Sequence, residues 1–373
     1  MYINIYTRKI IISYLFLGGF SFTLYYISGF ERVLNLWGVL IFYSVILFLI
    51  YALWKFLHGR EQAHFFLFFI SFLYKVSASL AFLLIIVGGF TVYHNELRPA
   101  KFPLYTLSNG ERTLQFQTVS HIASPSFYLT IRNAIIAAKK EGAVLFFEGV
   151  RPGSEENMEA FNNALGVNFS ENLYENFSRL YGVVAQDNLL FLGHGETPDI
   201  NVDMDIDTII ELYKVKKGEG SGTAPEREII QVEDEILALL SVLTPRELSV
   251  LQYINQSFLN FFMKQEGLQA YLLEQTGTDI FSVILGERDA YIATFIHESE
   301  YDNMFALYGK LHFEGVLREL RLHDMKWEIQ SVVYTQVIER SQGEILEQYM
   351  QVQNINLQER ERLLRHIQSS SGD

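Results

Sequence analysis

The stretch RTLQFQTVSHIASPSFYLTIRNAIIAAKKEGAVLFFEGV, residues 112–150, decides the fold class. Its first part, RTLQFQTV, reads as a strand. Ser124-Pro125 then opens a helix, with proline at the first helical position, where a missing N–H is tolerated. The helix runs through FYLTIRNAIIAAKK to Glu141-Gly142, and glycine suits the left-handed residue that closes a helix. AVLFFEGV (143–150) follows as a buried-type strand. Strand, helix and strand make one crossover unit, so the two strands run parallel. Upstream, FPLYTL is joined to RTLQFQTV across Ser108-Asn109-Gly110, and Asn-Gly between two apolar runs signals a hairpin. The expected domain is therefore α/β (α+β), with a mixed, partly parallel sheet.

Downstream, residues 155–182 read as helical, with Phe161, Leu165 and Leu173 on one apolar side, and LLFLG (189–193) reads as a short strand. KKGEGSGTAPER (216–227) has the composition of a flexible surface loop. Helices are expected at 228–243, 245–265 and 279–299, then the strand NMFALYG (303–309), the helix VLRELRLHDM (316–325) and the strand WEIQSVVYTQVI (327–338). Residues 340–368 read as a polar helix, exposed or partner-binding.

Ahead of the hairpin the chain changes character. IIISYLFLGGFSFTLYYISGF (10–30) and LWGVLIFYSVILFLIYALW (36–54) carry no charge. Each supplies the roughly 20 apolar residues that cross hydrocarbon. A third apolar stretch, 65–93, is broken once by Lys75. VSASLAFLLIIVGGFTVY (76–93) spans alone if Lys75 snorkels to the interface. Tyr6, Tyr14, Trp37, Trp54 and Tyr93 lie near the ends, as interfacial belts do. The organisation that follows is an α-helical membrane anchor of about three transmembrane helices over 1–94, a soluble domain over 95–338 and a tail over 339–373.

Charge divides the chain the same way. Residues 1–100 hold seven Lys/Arg and three acids, and the remainder has 22 basic and 40 acidic residues. A domain carrying −18 repels phosphate backbones, which argues against nucleic-acid binding and leaves the lipid bilayer as the first partner. Arg8 and Lys9 before the first span, with Lys55 and Arg60 in the second loop, place the amino terminus in the cytoplasm. Three crossings then make the soluble domain of this multi-pass protein extracytoplasmic. A re-entrant segment at Lys75 would reverse that. The absence of cysteine excludes disulfides, thiolate zinc sites and cysteine nucleophiles.

Three strand exits carry the chemistry. His121 follows LQFQTV, Glu148 ends AVLFFE, and His312 follows MFALYG after Gly309-Lys310-Leu311. Adjacent parallel strands lie about 4.8 Å apart, and their carboxyl ends form the rim where open α/β sheets bind ligands. Two imidazoles and a carboxylate there suit a divalent metal or acid–base work. Glu148 ends an apolar run, where a carboxylate is costly unless paired. Arg288, in the 279–299 helix, is placed for an anion or oxyanion contact. His194, in GHGE (193–196), reads first as a loop histidine and second as a further ligand. The run Asp203-Met204-Asp205-Ile206-Asp207 lacks the Gly and Glu of an EF-hand loop, and suits a strand edge or helix N-terminus. There is no Walker loop, dinucleotide fingerprint, H-E-x-x-H or nucleophile elbow.

In order, TVSH (118–121), VLFFEGV (144–150), GERDAYIATFI (286–296) and YGKLHFEG (308–315) resemble the motifs of the TraB/PrgY/GumN family, related to the Tiki metalloproteases. The resemblance covers about residues 103–338. It implies a Tiki/TraB-like fold and metal-dependent peptide-bond hydrolysis. A divalent ion, manganese or cobalt, would be held by His121, Glu148 and His312, with Glu148 and Arg288 in catalytic positions. Gln186 and Asp205 also match. Thr118 departs from the family glycine, and its Cβ would obstruct a close backbone approach or a positive φ. The expected function is a membrane-anchored hydrolase acting on a peptide or protein. The alternative is a non-catalytic peptide-binding or regulatory membrane protein on the same fold.

Overall fold

Three long helices lead the chain: α1 (Tyr2–Ser28), α2 (Phe30–His58) and α3 (Phe65–Val92). The computed structural model describes residues 2–58, 65–165, 173–218, 232–265, 280–339 and 344–354. All three helices are long and apolar enough to cross a membrane. Gly29, at φ 83°, supplies the left-handed residue that separates α1 from α2. Leu15 (72%), Phe22 (71%) and Ile85 (71%) are largely exposed, an arrangement that suits lipid and not water. Ser13 of α1 and Ser77 of α3 are buried, as small residues are where membrane helices approach closely. α3 runs unbroken through an exposed Lys75, with no re-entrant interruption.

Packing divides the chain into two units. The first is Met1–Tyr93 with Ser241–Ile254, and the second is His94–Leu240 with Asn255–Asp373. Residues 241–254, which the sequence reading placed in the soluble domain, thus cluster with the anchor. They comprise the end of α8 (Val232–Val242) and the start of α9 (Pro245–Lys264).

The second unit is built on a mixed sheet. The expected hairpin forms between β1 (Lys101–Ser108) and β2 (Thr113–Val119). A short β3 (Ile122–Ala123) precedes α4 (Pro125–Lys140) and β4 (Val144–Phe147), and Gly142, at φ 85°, ends the helix. Next come α5 (Glu155–Leu165), α6 (Leu173–Tyr181), β5 (Val184–Ala185), β6 (Asp199–Asn201) and α7 (Ile206–Lys217). After α9 come α10 (Arg288–Glu298), β7 (Asn303–Gly309), α11 (Phe313–His323) and β8 (Glu328–Gln336). The six strands run in the order β6-β4-β7-β2-β1-β8. β6, β4, β7 and β2 are parallel, and β1 is antiparallel to both its neighbours.

Burial on both faces explains the continuous apolar strands. Phe305 and Leu307 of β7 pack with Phe127 and Ile131 of α4. The alternate residues Met304, Ala306 and Tyr308 pack with Ile292 and Ile296 of α10 and Leu317 of α11. β8, at the edge, stays largely exposed.

The structure corrects several expectations. β7 lies between β2 and β4, so the strands of the crossover unit are not neighbours. LLFLG is not a strand: a single 3-10 turn, Asn188–Leu190, starts it, and Leu190 and Phe191 are apolar because they fill the core under α4. The sheet edge is β6, which carries Asp and Asn and so lacked an apolar signature. The region 155–182 holds two helices, with 166–172 outside the described residues. The 216–227 loop lies outside them from residue 219, while Lys216 and Lys217 end α7. A helix over residues 344–354 begins the tail, but it is not exposed throughout. Tyr349 is 1% exposed, and Ile345 and Val352 join the core beneath α4. The rest of the tail lies outside the described residues.

Candidate functional site

Glu148 follows β4, and its side chain is 12% exposed. Its backbone N–H donates to the Leu307 carbonyl at 3.0 Å, continuing the pairing with β7. That register brings the end of β7 across from the carboxylate, where the Gly309 N–H donates to Oε2 at 2.7 Å. A Cβ on Gly309 would lie 3.3 Å from that oxygen, so glycine permits the approach. Arg288, at the start of α10, donates from Nη2 to Oε1 at 3.0 Å.

Arg288 is held in turn by Asp203. Its Nε donates to Oδ1 at 2.9 Å and its Nη2 to Oδ2 at 2.8 Å. The backbone N–H groups of Gly149 and Met204 complete the Asp203 carboxylate. Arg288 and Asp203 are both nearly fully buried. Such a bidentate, fully hydrogen-bonded pair is the arrangement that makes buried charge tolerable.

His312 ends a 3-10 turn, Lys310–His312, directly before α11. Its Nδ1 lies 2.6 Å from Oδ1 of Asp289, and both residues are buried. Asp289 is seated against Gly315, where an added Cβ would come within 1.7 Å of Oδ2. With Asp289 accepting from Nδ1–H, the other ring nitrogen, Nε2, faces Glu148, whose Oε1 is 3.7 Å away. Burial pushes the Asp289 carboxyl up, against the pull of His312. Burial also pushes Glu148 up, but His312, Arg288, His121 and the Gly309 N–H outweigh it and bring its pKa down to about 2.

His121 lies on the far side of β7 from Glu148, because β2 is not adjacent to β4. Its imidazole is exposed and stands 4.8 Å from the Tyr174 ring, tilted 39°. Glu148 is coupled to this side of the rim: His121 helps to lower it, and burial, with the Glu148 charge second, raises the Tyr174 phenol to about 12. The rim therefore holds His121, Tyr174, Glu148, Arg288 and His312. Tyr174, Asp203 and Asp289 were not picked from the sequence. The available signals were slight: Asp203 opens the acidic run, and Asp289 directly follows Arg288 within GERDAYIATFI.

The remaining candidates take other places. Asp205 is the N-cap of α7, accepting from the Thr208 N–H at 2.7 Å, as the helix-start reading of that run expects. The buried ion pair belongs instead to Asp203. His194 bonds through Nε2 to the Leu190 carbonyl at 3.0 Å, a loop role. Gln186 donates to Asn188, whose side chain donates to the Glu148 carbonyl, so it reaches the site through its backbone. Thr118 lies inside β2 without a positive φ, and its Oγ1 donates to the Pro103 carbonyl at 2.9 Å. The threonine is thus accommodated as a strand residue, and β7 pairs Val119, not Thr118, with Gly309.

Two of the three expected metal donors suit an ion. Asp289 orients the His312 imidazole as outer-shell carboxylates orient ligating histidines. Nε2 of His312 and Oε1 of Glu148 stand 3.7 Å apart, a spacing that two donors to one divalent ion can take. Among the described residues, however, no three His, Asp or Glu side chains converge on a common point. The third donor, His121, is exposed on the rim and within electrostatic reach of Glu148.

No family model matches the chain. No curated protein matches it either.

Proposed function

We propose that the chain is a multi-pass membrane protein whose outer domain hydrolyses peptide bonds at the rim formed by Glu148, His312, Arg288 and His121. The TraB/PrgY/GumN resemblance motivates the reaction class. One observation carries the site: the nearly buried Glu148 carboxyl group faces, at 3.7 Å, a histidine whose other nitrogen is fixed by a carboxylate. In a peptidase cycle Glu148 serves in one of two roles: as general base, taking a proton from the attacking water and passing it to the leaving amine, or as a ligand of a bound ion. Arg288 holds the carboxylate in place and offers positive charge to a developing oxyanion. Asp289 positions His312 and stabilises it in its Nδ1–H form. Tyr174 and His121 form the outer wall that meets substrate. A divalent ion, manganese or cobalt by the resemblance, would be held by His312, Glu148 and His121, and when bound it would polarise the scissile carbonyl or its water. In this reading the anchor crosses the bilayer three times, and positive-inside counting of Arg8 and Lys9 with Lys55 and Arg60 favours an extracytoplasmic second unit.

The full chain in nanodiscs, incubated with Mn²⁺, Co²⁺ or Zn²⁺ and an unfolded protein substrate, tests the reading. Mass spectrometry should find cleavage by wild type and none by Glu148→Gln or His312→Asn. Equal cleavage by the variants would sink the proposal. The competing reading, a non-catalytic peptide-binding or regulatory protein, draws on the engagement of both Glu148 oxygens, by Arg288 and by the Gly309 N–H. It expects peptide capture without cleavage in the same assay.

A further inference from the structure

Two segments far apart in sequence meet in the first unit. Arg246, in the first turn of α9, donates from Nη1 to the Tyr26 carbonyl at 2.8 Å, and its guanidinium lies 4.5 Å over the Tyr26 ring. Thr244 Oγ1 reaches the Ile27 carbonyl at 3.5 Å. Glu247 pairs with Arg32 of α2 at 3.5 Å. Tyr26 and Ile27 lie in the last turn of α1, where a helix leaves carbonyls without internal donors. Residues 244–246 therefore cap α1 from a distant part of the chain.

That turn is also where the apolar stretch Thr7–Ser28 ends and Phe30–Leu53 begins. A tight turn between two crossing helices lies at the bilayer surface, and whatever is bonded to it lies there too. The local composition fits such a place. Val242 (62%) and Val250 (41%), which flank residues 244–247 in the chain, are exposed, and so are Tyr25, Tyr26 and Phe30 at the turn. Arg32 and Arg246 supply positive charge among them. Apolar side chains at the acyl boundary, cations at phosphate level and aromatic rings between them are the make-up of an interfacial element.

We propose that residues 241–254 form a membrane-interface element, with Val242 and Val250 at the acyl boundary and Arg246 at the level of the lipid phosphates. The chain returns to the lipid surface here, long after α3 has left it. The inference rests on the reading that α1–α3 cross the bilayer.

The protein has no cysteine, so single cysteines can be labelled without background. Val242→Cys, Val250→Cys and Ile41→Cys alter exposed side chains, so folding is not at issue. The full chain, labelled with an environment-sensitive fluorophore, is placed in phosphatidylcholine–phosphatidylglycerol vesicles with and without nitroxide lipids. Headgroup nitroxides should quench probes at 242 and 250 severalfold relative to nitroxide-free vesicles. Acyl-chain nitroxides should quench the probe at 41 within α2. Probes at 242 and 250 left unquenched by headgroup nitroxides, with 41 still in lipid, would overturn the inference alone. A water-exposed probe at 41 would overturn the crossing reading and the inference with it.

Discussion

The two strand exits that end in histidine share a spacing and almost nothing else. At the second, Gly309 sits against Glu148, His312 is buried, and Asp289 and Gly315 hold its ring from behind. At the first, Thr118 is buried in β2 and bonded to Pro103, while His121 is exposed against Tyr174. The same x-x-His spacing therefore produces one locked imidazole and one free to meet a ligand. Spacing brings a histidine to the rim, and the neighbouring helices decide whether it is held there. Asp289 on α10 and Gly315 on α11 do so for His312.

The largest expected effect breaks the locked side. Arg288→Met leaves Asp203 and Glu148 as buried, unpaired carboxylates, and should cost about 3–5 kcal/mol in chemical denaturation. A loss below about 1 kcal/mol would mean that the carboxylates reach water. Gly315→Ala comes next. Alanine favours a helix over glycine by about 1 kcal/mol, but the new Cβ collides with Asp289, so a net destabilisation of about 1–3 kcal/mol is expected. A more stable variant would show that Asp289 can leave His312 without penalty.

Acid separates the two sides differently. Glu148 is depressed, so its contribution to stability is complete above the ordinary carboxylate pKa and is lost as pH falls toward about 2. Wild type should lose more melting temperature between pH 5 and pH 2.5 than Glu148→Gln does. Parallel curves would contradict the assigned charge state.

On the open side the effects are smaller. Thr118→Gly removes a strand side chain and its hydrogen bond, and should cost about 1 kcal/mol without raising any hydrolytic rate. A rise in rate would revive the idea that threonine obstructs the site. His121→Ala should change stability by no more than about 0.5 kcal/mol, as exposed positions do, while abolishing cleavage as fully as His312→Asn. Full activity in His121→Ala would remove the first exit from the site.

Much of the fold was legible because local patterns report local physics. Three long uncharged stretches, Asn-Gly between apolar runs, Ser-Pro before an amphipathic stretch and glycine after it each specify an element through few residues. LLFLG was misleading because a core-filling turn and a buried strand show the same apolarity. β6 was missed because its edge residues are polar. Within the site, Glu148 was legible because a carboxylate ending an apolar run demands a partner. The partner network was not: Asp203, Asp289 and Tyr174 carry no distinguishing spacing.

Sequence alone determined the apolar helices, the crossover unit and the delivery of His121, Glu148 and His312 to strand ends, since each depends on side-chain chemistry within one short window. Only tertiary structure decided that β7 lies between β2 and β4, that Arg288 is shared by two carboxylates, and that residues 241–254 join the anchor. Those outcomes depend on contacts between segments more than a hundred residues apart in some cases, and such contacts leave no periodic trace in the chain.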